Sequence, residues 1–165
     1  MTKIPALSQE KAIEVGENCS CLAARKATRA ITQLYDKHLS KVGLRITQFT
    51  LLNAIRAFDE ISIHMLATEL VMDRTTLTRN LKPLVKSGWV DSTPSKKDAR
   101  VRNLSLTSQG QHQLAQALPH WETAQALFLR KVGDPTWGRL STDLARVDRT
   151  LSPGARPSDK LIGKR

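Results

Sequence analysis

Apolar positions in the middle of the chain recur at helical spacing in short runs. Leu66, Ala67 and Leu70 predict a short helix over 64–70. Val71, Met72 and Asp73 break the period, and a second helix resumes over 74–86. On a 3.6-residue wheel, Leu77, Leu81, Leu84 and Val85 share one side, while Thr75, Arg79, Lys82 and Lys86 form a stripe on the other. One side can pack on a core while the other offers cations and hydroxyls, a geometry that suits a helix in a DNA major groove. An ordinary amphipathic helix with a solvated basic face fits the same stripe, so both readings stand at this point.

The next segment changes the balance. Gly88 stands where a helix C-cap glycine belongs. Residues 89–93 and 101–107 then read as two strands, with Val90, Leu104 and Leu106 on the buried face. Ile61, Ser62 and Ile63 can add a third strand to this hairpin. The connecting residues 94–100 are polar and basic, and cations at such a tip can reach phosphates or a minor groove. From position 74 to 102 there are eight Lys/Arg against two Asp, a balance of +6. A winged helix-turn-helix becomes the favoured reading.

Helices are expected on both sides of this module. Residues 18–41 form a long candidate with Leu22, Ala27, Ile31, Leu34, Tyr35 and Leu39 on its apolar side, ended by Gly43. Thr47 is the expected N-cap of a helix through Phe58 that buries Phe49, Leu51, Leu52 and Ile55. Residues 107–131 read as a helix with a kink at Pro119. Asp134 is the expected N-cap of a last helix, with Pro135 at its first position. There Trp137, Leu140, Leu144, Val147 and Leu151 alternate spacings of three and four, a seam that either packs on its own domain or pairs with another copy. The expected organisation is an N-terminal extension over 1–17, a first dimerisation helix over 18–46 and a DNA-binding lobe over 47–107. C-terminal dimerisation helices over 108–151 and a flexible basic tail over 152–165 complete it.

Composition narrows the function. A chain of 165 residues carries 26 Lys/Arg against 15 Asp/Glu, a net +11, which points to a polyanionic partner. No apolar run approaches the roughly 18–20 residues that span a bilayer, and the first 17 residues are too polar for a signal peptide, so a cytoplasmic protein is expected. Neither a nucleotide-binding glycine loop nor paired catalytic carboxylates nor a nucleophile–base motif is seen, so no enzyme activity and no cofactor are expected. A basic module that binds nucleic acid without sequence preference is the competing class, although the aromatic stacking pattern of single-strand binders is missing.

The order of motifs resembles the MarR family of winged helix-turn-helix transcription regulators. Residues 43–52, Gly-Leu-Arg-Ile-Thr-Gln-Phe-Thr-Leu-Leu, look like the family's lead-in to its second helix. Residues 66–70 and 73–79 look like its helix-turn-helix, and Gly88-Trp89-Val90 with Asp98-Ala99-Arg100 like its strand start and wing signature. Residues 106–110, Leu-Thr-Ser-Gln-Gly, look like the exit into its long fifth helix. The resemblance implies a mainly α fold with a small antiparallel β-wing, in a six-helix MarR-like architecture. It further implies a triangular homodimer on palindromic double-stranded DNA, acting as a repressor released by a small ligand or an oxidant. By position, Arg74, Thr75, Thr76, Thr78, Arg79 and Lys82 would serve the recognition helix, and Lys96, Lys97 and Arg100 the wing. Asp98 would orient Arg100 or another wing arginine. Pro83 departs from a regular helix, removing the bond to the Arg79 carbonyl, and is expected to bend the last turn that carries Lys86.

Cys19 and Cys21 diverge by about 200° if both are helical, which makes a mutual disulfide poor. His38, His64, His112 and His120 are scattered, so no metal site is expected. Cys21 precedes Tyr35 by fourteen residues, which resembles the peroxide-sensing OhrR branch, where a cysteine near the first helix's start bonds a tyrosine at that spacing. The branch's second tyrosine is replaced here by Arg25. A small buried thiol at a helix contact is the alternative role for Cys21.

Overall fold

The computed structural model describes residues 6–95 and 98–152. The elements, in chain order, are α1 (Gln9–Asn18), α2 (Ser20–Leu39), a 3₁₀ turn (Ser40–Val42), α3 (Ile46–Phe58), β1 (Ile61–Ser62), α4 (Ile63–Glu69) and α5 (Arg74–Lys86). The hairpin β2 (Val90–Pro94) and β3 (Arg102–Leu106) follows, then α6 (Ser108–Val132) and α7 (Asp134–Leu151). The three strands form one antiparallel sheet in the order β1-β3-β2, with Ile61 opposite Leu104 and Ser92 opposite Leu104 on the other side. The six expected helices are α2 to α7, and α1 is an additional one ahead of them.

Local chemistry explains most boundaries, and four expectations need correction. The helix expected over 18–41 is split at Cys19, whose backbone is extended (φ −78°, ψ 102°) and whose Sγ accepts the Leu22 N–H at 3.4 Å. Residues 9–18, placed in an extension, are a separate helix with Ser8 as N-cap. Thr47 is not the cap of α3, which starts one residue earlier behind Arg45. Asp36 on α2 takes the Ile46 N–H at 2.7 Å and Gln48 takes the Arg45 N–H at 2.9 Å, so the orphan donors are satisfied from a neighbouring helix and from inside the first turn. Asp134 is likewise not a cap but the first residue of α7, behind Gly133. Thr107 does cap α6, accepting the Gly110 N–H at 2.9 Å, and α6 runs unbroken through Pro119.

The core joins residues of α2, α3, α4, α5 and α6 with the buried face of the sheet, Val90 and Leu104. Leu39, Leu52, Ile55, Leu66, Leu77 and Leu84 are fully enclosed, each worth about 1.5–3 kcal/mol of transfer free energy. Phe49 stacks on Trp121 at 5.9 Å, and Phe128 meets Trp137 edge-to-face at 5.1 Å, pinning the start of α7 to α6. Beyond Trp137 the α7 seam faces outward: Leu140, Leu144, Val147 and Leu151 are exposed, as are Ile13 and Val15 on α1. Among the described residues, no helix is long and apolar enough to cross a membrane.

Candidate nucleic-acid interface

The turn between α4 and α5 is closed by two backbone bonds, Val71 N–H to Thr68 O (3.2 Å) and Met72 N–H to Ala67 O (2.9 Å). This is a Schellman pattern with Val71 at the left-handed position, φ 49°, where glycine is usual. Asp73 then caps α5, its carboxylate accepting the Thr76 N–H at 2.8 Å. Hydrogen bonding to Thr76, aided by the Arg79 charge, holds that carboxyl below its ordinary range.

On α5, Leu77, Leu81 and Leu84 turn inward as expected, but Val85 does not: it is 43 % exposed. The residue lies along a groove between α5 and the wing. Pro83 is exposed and leaves the helix continuous to Lys86, so the Arg79 carbonyl loses its helical donor on the solvent side, where water can supply one. Gly88 (φ 69°) ends α5 through Trp89 N–H to Leu84 O (3.0 Å) and Gly88 N–H to Val85 O (3.0 Å), again a Schellman motif.

A groove of about 930 Å³ runs between α5 and the wing. Its helix wall carries Arg74, Thr75, Thr78, Arg79, Lys82 and Lys86, and its strand wall Ser92 and Arg102, over a floor that includes Leu81 and Leu104. Five cations thus line one concave surface. The Thr78 hydroxyl donates back to the Arg74 carbonyl at 2.7 Å, leaving its lone pairs outward. Arg102 is held by Ser92, Nε to Oγ at 3.2 Å and Nη2 to the Ser92 carbonyl.

Five of the expected recognition residues, Arg74, Thr75, Thr78, Arg79 and Lys82, therefore line the groove together, joined by Lys86. Thr76 does not line it; it is half-buried beside Asp73. Arg100 is exposed at the hairpin tip, away from the groove lining, and Lys96 and Lys97 lie outside the described residues, as does the basic tail beyond Ser152. Asp98 makes backbone contacts at the hairpin tip: its carboxylate accepts the Arg100 N–H at 2.9 Å and its carbonyl the Val101 N–H at 2.9 Å. Ser92 and Arg102 also line the groove and were not among the expected residues. Strand alternation places Arg102 on the face of Leu104 and Leu106, but only packing turns that face toward α5.

Cys21 is exposed in the first turn of α2, and Cys19 is half-buried. Tyr35 lies fourteen residues further along the same helix, about 21 Å away at 1.5 Å per residue, so the two do not meet within one chain. The Tyr35 hydroxyl instead donates to Gln125 of α6, and burial pushes its phenol pKa up.

A capped helix-turn-helix with a basic groove closed by a β-hairpin defines a winged helix-turn-helix protein. The sequence profile of the MarR family matches residues 44–101. The Mycobacterium tuberculosis transcriptional regulator MosR, solved in complex with DNA, superposes with a TM-score of 0.74 at 34% identity, covering 82% of this chain and 98% of that one. The chain belongs to the MarR family. An Escherichia coli MarR mutant complexed with operator DNA shares the fold, with a TM-score of 0.72 at 23% identity over 86% of this chain and 99% of that one. The HTH-type transcriptional regulator SarZ of Staphylococcus haemolyticus is 31% identical over 93 residues, 56% of this chain. That match spans 63% of SarZ, just under two thirds of its length.

Proposed function

We propose that the protein is a cytoplasmic, homodimeric transcription regulator that reads double-stranded operator DNA and represses until a small ligand or oxidant releases it. The observation that carries this reading is the groove, in which cations from α5 and from the wing face one concave surface. Arg79 and Lys82 suit contacts to base edges and adjacent phosphates, Thr75 and Thr78 suit shorter polar contacts, and Arg102 and Arg100 suit the backbone. In this reading α3 to β3 form the DNA-binding lobe, while α2, α6 and α7 form the dimerisation body, with the exposed α7 seam covered by a second copy. Footprinting on the protein's own upstream region tests it. Protection is expected over two half-sites about one helical turn apart, roughly 10 bp centre to centre. Equal affinity for random and upstream DNA at matched salt would overturn sequence-specific reading in favour of a non-specific basic binder.

The oxidant branch of this reading rests on Cys21, a free thiol exposed in the first turn of α2. Peroxide is expected to release DNA from the wild type and not from Cys21→Ser. Equal responses of the two proteins would make Cys21 structural.

A further inference from the structure

The last helix returns to the DNA-binding lobe. Phe128 and Trp137 fix the start of α7 on α6, and its 18 residues then run about 27 Å at 1.5 Å per residue. Ser152, the C-cap of α7, comes to the helix-turn-helix. It shares a concave surface with His64 and Thr68 of α4, Val71 of the turn and Arg74, the first residue of α5. Arg74 also lines the basic groove, so the two concave surfaces border one another at the start of the recognition helix. The N-terminal residues of such a helix are the ones that meet base edges in the major groove. The chain therefore leaves α7 on the side of the lobe that DNA approaches. Among the described residues, the lining at that point contains no acidic side chain.

Beyond Ser152 the sequence carries Arg156, Lys160, Lys164 and Arg165 against Asp159, a balance of +3 over residues 153–165. A segment of that length reaches at most about 45 Å. Like charge disfavours its entry into the cationic groove, whereas a polyanion seated in the groove attracts both. We propose that residues 153–165 are a third DNA-contacting arm, rooted at Ser152, whose four cations pair with backbone phosphates flanking the segment that α5 reads. The arm rests on the DNA-binding reading and adds to it a contact that neither the recognition helix nor the wing makes. It supplies affinity and not base preference, because phosphates are the same in every sequence.

The test compares the full wild-type chain with a full-length variant carrying Arg156→Gln, Lys160→Gln, Lys164→Gln and Arg165→Gln. Arg156→Lys with Arg165→Lys is the charge-keeping control. The probes are a duplex from the protein's own upstream region and a scrambled duplex, titrated by fluorescence anisotropy over a salt series. The glutamine variant should bind both duplexes roughly tenfold more weakly, with the slope of log affinity against log salt reduced by about two to four per copy. The ratio between the two duplexes should stay within about twofold of the wild type, and the lysine control should match the wild type. Hydroxyl-radical footprinting should show protected sugars beside each half-site that the glutamine variant loses. Wild-type affinity and slope in the glutamine variant would overturn the arm. Equal losses in the lysine control would overturn it too, making side-chain shape and not charge the cause. A changed ratio between the duplexes would overturn the phosphate assignment. Failure of the wild-type chain to bind either duplex would overturn the DNA reading, and the arm with it.

Discussion

Gly110 at the start of α6 faces the Trp89 carbonyl so closely that a Cβ built on it would sit 1.9 Å from that oxygen. The same carbonyl accepts the Thr107 N–H at 3.1 Å, and the Thr107 hydroxyl donates to the Gly88 carbonyl at 2.6 Å. The end of the recognition helix, the start of the wing and the start of α6 are thereby tied into one knot. Gly110→Ala is expected to destabilise by at least about 1–3 kcal/mol, because backbone and not a pliable side chain must move. Gly138→Ala, in α7 with nothing within 4 Å, should be neutral or stabilising by up to ~1 kcal/mol. Thermal melts of the two variants check the contrast.

Val71 holds the helix-turn-helix turn in a left-handed conformation that costs a branched residue about 1–2 kcal/mol. Val71→Gly relieves this, offset in part by the extra freedom of glycine in the unfolded chain. A net gain of about 1 kcal/mol or less is expected in denaturant unfolding, and a loss would mean that the half-exposed side chain contributes more than the strain.

Arg79→Ala should cost about 1–3 kcal/mol in operator binding and relax base preference. Arg102→Ala should weaken all sequences alike and reduce the slope of log affinity against log salt by about one. Fluorescence anisotropy over a salt series, on operator and scrambled duplexes, separates the two roles.

The Asp73 carboxyl is held below its ordinary 3.8 in the folded state. A depressed folded value contributes stability that is fully present above the unfolded value and is lost as pH falls through the folded one. The wild type should therefore lose stability on acidification below 3.8 more steeply than Asp73→Asn, which keeps a capping oxygen but does not titrate. Parallel acid unfolding curves would remove Asp73 from the acid response.

Leu144 and Val147 are half-exposed on the α7 seam. Leu144→Lys with Val147→Lys should convert a dimer into a monomer in light scattering while leaving the helical circular dichroism intact. An unchanged mass would place the dimer contact elsewhere.

The helix-turn-helix was legible because each of its signals is local. Leu77, Leu81 and Leu84 repeat at 3.6, Val71, Met72 and Asp73 break the period ahead of them, and Gly88 stands where the helix ends. The break at Cys19 was not legible, since a thiol is a weak cap and residues 9–18 carry no buried face to announce a helix. The α3 start was missed for a different reason: its cap comes from Asp36, ten residues away on another helix.

By itself, then, the sequence determined the order of helix, turn, second helix and wing, the inward leucines and the cationic stripe. These follow from side-chain period and turn chemistry within a few residues. Only the tertiary structure decided that Arg102 and Ser92 form the groove's second wall and that Val85 lies along it. It also decided that Tyr35 pairs with Gln125 and that Gly110 must lack a side chain. Each of those depends on distances between segments that are separate in the chain, which the period of any one segment does not encode.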